Sequence, residues 1–271
     1  MKNVSYEIQS TKTLPDLQQE RWREKNAVST SKRIRISAVL PVYAERESVA
    51  DLVSALCTLM PEELQEIILI VAESAPEETM RICEEVTARF PLVRMAMQKR
   101  GPGLGFAVRQ GIAEAQGTHV LLMDSDGEMD VQTVPLMLAK LKARDVDLVV
   151  ASRWMKGGGM EGYDRSKYIL NWGYQQIFRV LYWTAIHDLT LGFKLGRADM
   201  MKAIPWNAQF HEIGCETTLR VIRARYTVSE VPTVWRRRKE GASTNPFRHN
   251  FRYVSTALSI LFNAPGSSKA S

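Results

Sequence analysis

The segment Met123-Asp124-Ser125-Asp126-Gly127-Glu128 places three carboxylates at alternating positions, directly after the apolar run His119–Met123. In extended backbone, side chains at i, i+2 and i+4 share one face, so Asp124, Asp126 and Glu128 would crowd together. Like charges held that close repel, and they coexist only with a cation or with shifted pKa values. Hard divalent ions such as Mg2+ or Mn2+ take oxygen ligands of this kind and keep room for the phosphate oxygens of a substrate. The residues alone leave two readings open, that metal site or a solvated acidic turn. A calcium loop of the EF-hand type is excluded, because its remaining ligands are missing.

A second chemical signal is Arg100-Gly101-Pro102-Gly103-Leu104-Gly105, which opens a helical pattern through Ala115. Glycines let the backbone approach a ligand, and a helix N-terminus favours anions. The run is neither a dinucleotide fingerprint nor a Walker loop, since the spacing and the lysine are wrong. A tight strand-to-helix turn also accounts for it, and the run by itself favours that turn. Arg153, Arg165 and Arg238 stand near strand exits or in loops, where a guanidinium binds phosphate bidentately or simply faces solvent.

These groups need elements to position them. Residues 33–43, 66–72, 119–123 and 146–152, with Leu92–Met97, read as strands, and helical patterns fall between them. Pro76 suits the first turn of a helix running to about Phe90. Such alternation predicts right-handed βαβ units and a mostly parallel, mixed sheet flanked by helices. Ligands bind at the carboxyl ends of the strands in such sheets. The chemistry therefore belongs near residues 41–47, 72–79, 99–105, 124–128 and 152–165.

A chain of 271 residues accommodates one large α/β domain. We place it at 33–245, between a polar, mobile lead-in (1–32) and an amphipathic tail (246–271). A formal charge of +6 favours anionic partners, but no nucleic-acid reader motif accompanies the charge, so no nucleic-acid partner is expected. Cys57, Cys83 and Cys215 are far apart and read as core thiols in a reducing compartment. The N-terminus has no apolar signal region, and no apolar run reaches the roughly 20 residues that span a bilayer. Residues 165–186 and 253–262 instead mix aromatic, aliphatic and basic residues, as interfacial helices do. The expected location is cytoplasmic, peripheral at an anionic membrane face.

Taken in order, the motifs resemble family 2 glycosyltransferases with the GT-A fold, most closely dolichol-phosphate mannose synthases and related polyprenyl-phosphate glycosyltransferases. The residues carrying the resemblance are Leu40 to Glu45, Gly103-Leu104-Gly105 with Arg109 and Gly111, and Met123 to Glu128. Ala151-Ser152-Arg153-Trp154, Gly157 to Gly159, Arg165, Asp188 to Phe193, and Arg238 with Gly241 and Ser243 follow. The resemblance implies a GT-A domain with Rossmann-like architecture and inverting, Mg2+- or Mn2+-dependent transfer of a sugar from a nucleotide diphosphate to a polyprenyl phosphate. It puts Pro41, Tyr43, Glu45, Glu73 and Gly103 around the donor, and makes Asp124, Asp126 and Glu128 metal ligands. Arg153, Arg165 and Arg238 handle phosphates. Glu128 stands where such synthases often carry glutamine. The family's V-D-D-G-S segment here reads Val71-Ala72-Glu73-Ser74-Ala75, the asparagine of P-x-Y-N-E is Ala44, and the lysine of G-x-S-K is Thr244. These departures leave the donor's base open, along with a soluble saccharide acceptor or a non-catalytic nucleotide-sugar binder. For a hydroxyl acceptor, which needs a general base, the helical Glu216 is the candidate.

Overall fold

Ile67 to Val71 are all fully buried, as an unbroken β-branched and aliphatic run must be when helices cover both faces of a sheet. The computed structural model describes residues 33–143, 145–237 and 250–263, and the account below concerns the unit that begins at Arg35. The lead-in 1–32 and Arg238 lie outside the described residues.

Strands β1 (Ile36–Val42), β2 (Leu64–Val71), β3 (Val93–Met97), β4 (His119–Leu122), β5 (Leu148–Ser152), β7 (Lys194–Arg197) and β8 (Val228–Pro232) form one sheet in the order β3-β2-β1-β4-β7-β5-β8. Val39 pairs with Ile68 on one side and with Leu122 on the other, both in parallel register. The chain therefore reverses its direction of strand addition between β1 and β4, and this switch point opens a crevice at their carboxyl ends. A mixed, mostly parallel sheet was expected. The antiparallel member is β7, seated between β4 and β5. Its sequence, Lys-Leu-Gly-Arg, is too short and too polar to show a period. Two further three-residue strands, β6 (Gly159–Glu161) and β9 (Val234–Arg236), pair in parallel as a separate small sheet.

The helices are α1 (Glu47–Leu59), α2 (Glu77–Arg89), α3 (Leu104–Glu114), α4 (Thr133–Ala143), α5 (Arg165–Leu181), α6 (Ala198–Ala203), α7 (Ile213–Arg223) and α8 (Asn250–Phe262). Pro76 sits one residue outside α2, as its N-cap. Val39, Ile68, Ile70, Leu122 and Val150 share a core with residues of α3, α6 and α7. A second core joins α5, α7 and α8 through Phe178, Tyr182, Cys215, Leu219, Ala257 and Ile260. Cys83 and Cys215 are buried and Cys57 partly so, all three as free thiols.

The amino ends of β1 and β4 are fixed by side chains. Ser37 Oγ donates to Glu66 (2.6 Å) and accepts from the Gly117 amide (2.8 Å). Beside them His119 is pushed down to about 4, by burial first and then by the Arg197 charge, with Asp199 opposing. An unfolded chain binds this proton near pH 6.5, and the folded one only near pH 4, so the contribution is lost as pH falls across that window. We expect wild type to lose about 3 kcal/mol more than His119→Gln between pH 7 and pH 4. Urea melts at the two pH values measure it, and parallel losses in the two proteins would refute the burial argument.

Candidate active site

The acidic loop leaves β4 at the switch point and is held by backbone as much as by side chains. Ser125 is buried, and its hydroxyl donates to the Pro41 carbonyl (2.5 Å), tying the loop to the exit of β1. Asp126 Oδ1 accepts from the Glu128 amide (3.0 Å). Glu128 turns towards β9, where its Oε2 accepts from Trp235 Nε1 (2.9 Å) and its carbonyl accepts from the Arg236 amide (2.7 Å). Asp124 points at Gly192, where a Cβ would lie 3.7 Å from Oδ2. Among the described residues no three His, Cys, Asp or Glu groups gather as a metal site. The expectation of three converging carboxylates is thus corrected. Alternation would have aligned them, but the turn at Gly127 (φ 72°) breaks the extended geometry and gives Glu128 to Trp235.

Around this loop lie the residues expected to meet a donor. Tyr43 is half exposed just past β1, and Glu45 folds back to accept from the amides of Tyr43 (2.6 Å) and Ala44 (3.0 Å). Glu73 is exposed at the exit of β2. Gly103 has φ 143°, and a Cβ there would strike the Gln209 carbonyl. The Gly105 amide donates to that same carbonyl (2.9 Å). The close approach the glycines permit is therefore to backbone 208–209, which favours the tight-turn reading of this loop over an anion cradle. Gln98, which the sequence did not single out, holds the loop by donating Nε2 to the carbonyls of Arg100, Gly101 and Gly103.

Arg153, at the exit of β5, is buried against Asp188. Its Nε donates to Oδ2 (2.8 Å), its Nη2 to Oδ1 (3.0 Å) and to Thr190 Oγ1 (3.0 Å). Burial is the largest single influence and works against both charges, but their attraction and the hydrogen bonds around them together outweigh it, holding Arg153 above and Asp188 below the ordinary value. Lys194 lies beneath, fully buried, donating to the carbonyls of Leu191 and Gly214 (2.7 Å for the latter). Burial pushes its ammonium down to about 7, against the pull of Asp188, Cys215 and Asp124.

One cleft of about 2740 Å³ collects Pro41, Tyr43, Glu45, Glu73, Gly103, Asp124, Asp126, Glu128 and Arg153. Its lining also includes apolar side chains, Leu170, Ile177 and Leu181 of α5 and Val254 and Leu258 of α8. The volume exceeds the roughly 300–1,000 Å³ of a pocket for one small ligand.

The sequence pattern of Glycosyl transferase family 2 matches residues 37–204, well over half of the chain, from within β1 to just past the end of α6. The chain belongs to that family. It is 28% identical over 216 residues to the undecaprenyl-phosphate mannosyltransferase of Micrococcus luteus, covering 78% of this chain and 87% of that protein. It is 25% identical over 225 residues to the dolichol-phosphate mannosyltransferase of Pyrococcus furiosus. That alignment covers 82% of this chain but spans only 62% of the Pyrococcus protein's length. Among solved structures, the glucosyl-3-phosphoglycerate synthase of Mycobacterium tuberculosis, crystallised with Mn2+, UDP and glucosyl-3-phosphoglycerate, superposes with a TM-score of 0.65. At 15% identity, covering 94% of this chain and 86% of that one, it shows the shared GT-A fold.

One expected residue, Arg165, is not among those that line the cleft. It begins α5 and is exposed, while Asp164 and Lys167 on either side of it do line the cleft. Arg237, the neighbour of Arg238 in the basic run after β9, also lines it. Glu216 is corrected as well. It is 1% exposed, accepts from the amides of Asn207 (2.9 Å) and Ala208 (2.7 Å), and pairs with Arg220 (2.6 Å), outside the cleft. It anchors the loop that packs on Gly105 and is no general base. We expect Glu216→Ala to cost about 3 kcal/mol of stability, because two amides and a cation lose their acceptor. Per folded molecule, turnover should stay within a few-fold of wild type. Denaturant melts and active-site titration measure both, and a stable but inactive variant would restore the base.

Proposed function

We propose that this glycosyltransferase moves a sugar from a nucleotide diphosphate onto a polyprenyl phosphate at a membrane surface, with inversion at the anomeric carbon. The observation that carries this reading is the mixed lining of one cleft, acidic side chains from the strand exits together with apolar ones from α5 and α8. A charged donor fits the first set and a hydrocarbon chain the second. Both mannosyltransferase relatives are named for polyprenyl-phosphate acceptors.

The donor set suits Mg2+ or Mn2+. Asp124 and Asp126 supply hard oxygens beside the β1–β4 crevice, and Mg2+ is commonly held by one or two carboxylates plus substrate phosphates. Such an ion would stabilise charge on the departing diphosphate. The protein's own part is positioning, which supplies much of the rate in a transfer between held partners. Arg153, Lys167 and Arg237 bring cations to the cleft, and Arg153 has its Nη1 donors without a partner among the described residues. A phosphate acceptor is already anionic, so no general base is required, in keeping with the sequestered Glu216.

Helix α5 supports the membrane part. Ile169, Trp172, Val180 and Trp183 form an outward stripe along α5 and just beyond it, with Trp183 95% exposed at φ 50°. On α8, Phe251 and Phe262 are 77% and 79% exposed. No helix among the described residues is long and apolar enough to cross a membrane. Exposed aliphatic and aromatic residues beside Arg179 and Arg252 suit a helix lying in the headgroup layer.

Two outcomes follow. Asp126→Ala should lose on the order of 10²-fold in turnover with Mn2+ present. Release of nucleoside diphosphate measures it, and near-normal turnover would remove the aspartate from the site. The protein should also sediment with phosphatidylglycerol-containing vesicles. Replacing Ile169, Trp172 and Val180 by serine should weaken that binding tenfold or more, since each buried apolar side chain is worth about 1.5–3 kcal/mol. Transfer to short soluble sugars but none to polyprenyl phosphate would overturn the lipid-acceptor reading.

A further inference from the structure

Gln175 lies in the middle of α5 and is fully buried. Its Oε1 accepts from the Leu189 amide (2.8 Å), and its Nε2 donates to Thr190 Oγ1 (3.0 Å) and to Asn171 Oδ1 (2.9 Å). Both donors and the acceptor are matched, and a flipped amide would set Nε2 against the Leu189 N–H, so the orientation is unique. The Thr190 hydroxyl is equally committed. It accepts from Gln175 and from Arg153 Nη2 (3.0 Å each), and it donates towards Asp188 Oδ1 (3.3 Å). Gln175 therefore stands one hydroxyl away from the guanidinium at the cleft floor. On the turns around it, α5 presents Leu170, Ile177 and Leu181 to the cleft, and Ile169, Trp172 and Val180 outward.

We propose that Gln175 is a positioning residue that fixes Arg153 to helix α5, so that the seating of the lipid-side helix sets the geometry of the guanidinium towards the acceptor's phosphate. Its purpose rests on the lipid-acceptor reading above; its geometry does not. A helix that leans on the membrane with one stripe and holds the cleft arginine through another makes lipid docking and phosphate alignment a single event. A buried, fully satisfied polar network is the kind that specifies one arrangement.

The test uses the full chain carrying Gln175→Leu, which keeps the volume and removes every bond. Thr190→Val, a smaller change, deletes only the shared hydroxyl. With polyprenyl phosphate as acceptor, kcat should fall tenfold or more in Gln175→Leu, while KM for the nucleotide sugar moves less than threefold. Combined with Arg153→Lys, neither change should add its full effect, because each has already displaced the same group. Thr190→Val should reproduce this pattern if Gln175→Leu fails to fold. A merely structural role predicts a lower melting temperature with kcat per folded molecule unchanged and effects that multiply, and that result overturns the proposal. Independently of activity, the Arg153 Nε–H resonance in 15N NMR should shift in both variants. Should wild type transfer no sugar to polyprenyl phosphate, the lipid-acceptor reading falls and this resonance still decides: displaced in the variants, the positioning stands; unmoved, it is refuted.

Discussion

A guanidinium and a carboxylate face each other out of water at the exit of β5, and the elements bordering the cleft are fastened to that pair. Arg153 and Asp188 are both buried, with side chains 8% and 0% exposed. Removing two ions from water costs several kcal/mol each, so such a pair is weak evidence for stability. Its value is in fixing geometry. Asp188 also accepts from the amides of Thr190 (3.2 Å) and Leu191 (3.1 Å), shaping the segment that leads into β7. Glu230 of β8 takes the amides of His187 (2.7 Å) and Asp188 (2.9 Å), so the outer strand holds the same segment from behind. Lys194 closes it from below through the carbonyls of Leu191 and Gly214. A buried ion pair and a buried lysine thus hold the loop carrying Gly192, with Asp124 resting against it.

The acidic loop is fixed differently. Asp124 and Asp126 are partly exposed, and the chain fastens the residues between and after them. Ser125 bonds to the carbonyl of Pro41, Glu128 to Trp235, and the Met129–Trp235 bridge continues the attachment to β9. The loop is thus held to β1 and β9 through the residues beside the two aspartates, with Asp126 Oδ1 itself accepting from the Glu128 amide.

These partnerships explain which parts could be read from the chain alone. Strands β1, β2, β4 and β5 announce themselves by apolar runs, and the cluster after β4 follows from alternation. Alternation through Gly127 puts Glu128 in register with the aspartates but gives no hint of Trp235, 107 residues away, which donates to its carboxylate. Asp188, 35 residues from Arg153, is equally invisible to spacing. Strands β6, β7 and β9, of three or four residues each, are too short to carry a period. The helix around Glu216 was legible, but not that its carboxylate faces inward to cap the loop at 207–208. The glycines at 103 and 105 signal a close approach of some group, and in the fold that group is the protein's own backbone, as the tight-turn reading has it.

Helix α5 shows how one element serves three environments. A helix apolar on every side is ordinarily buried, and an amphipathic one has a single apolar stripe. Here Phe178 and Tyr182 pack inward with α7 and α8, Leu170, Ile177 and Leu181 line the cleft, and Ile169, Trp172 and Val180 point outward. Each uncovered stripe holds apolar surface that water disfavours by about 25 cal/mol per Å². Docking on a bilayer would cover the outward stripe, and a hydrocarbon chain in the cleft would cover the other. The two stripes adjoin along the same helix, so a chain leaving the lipid phase could pass from one to the other without its apolar length entering water. The polar floor then receives only the end of that chain, which is where a phosphate would be.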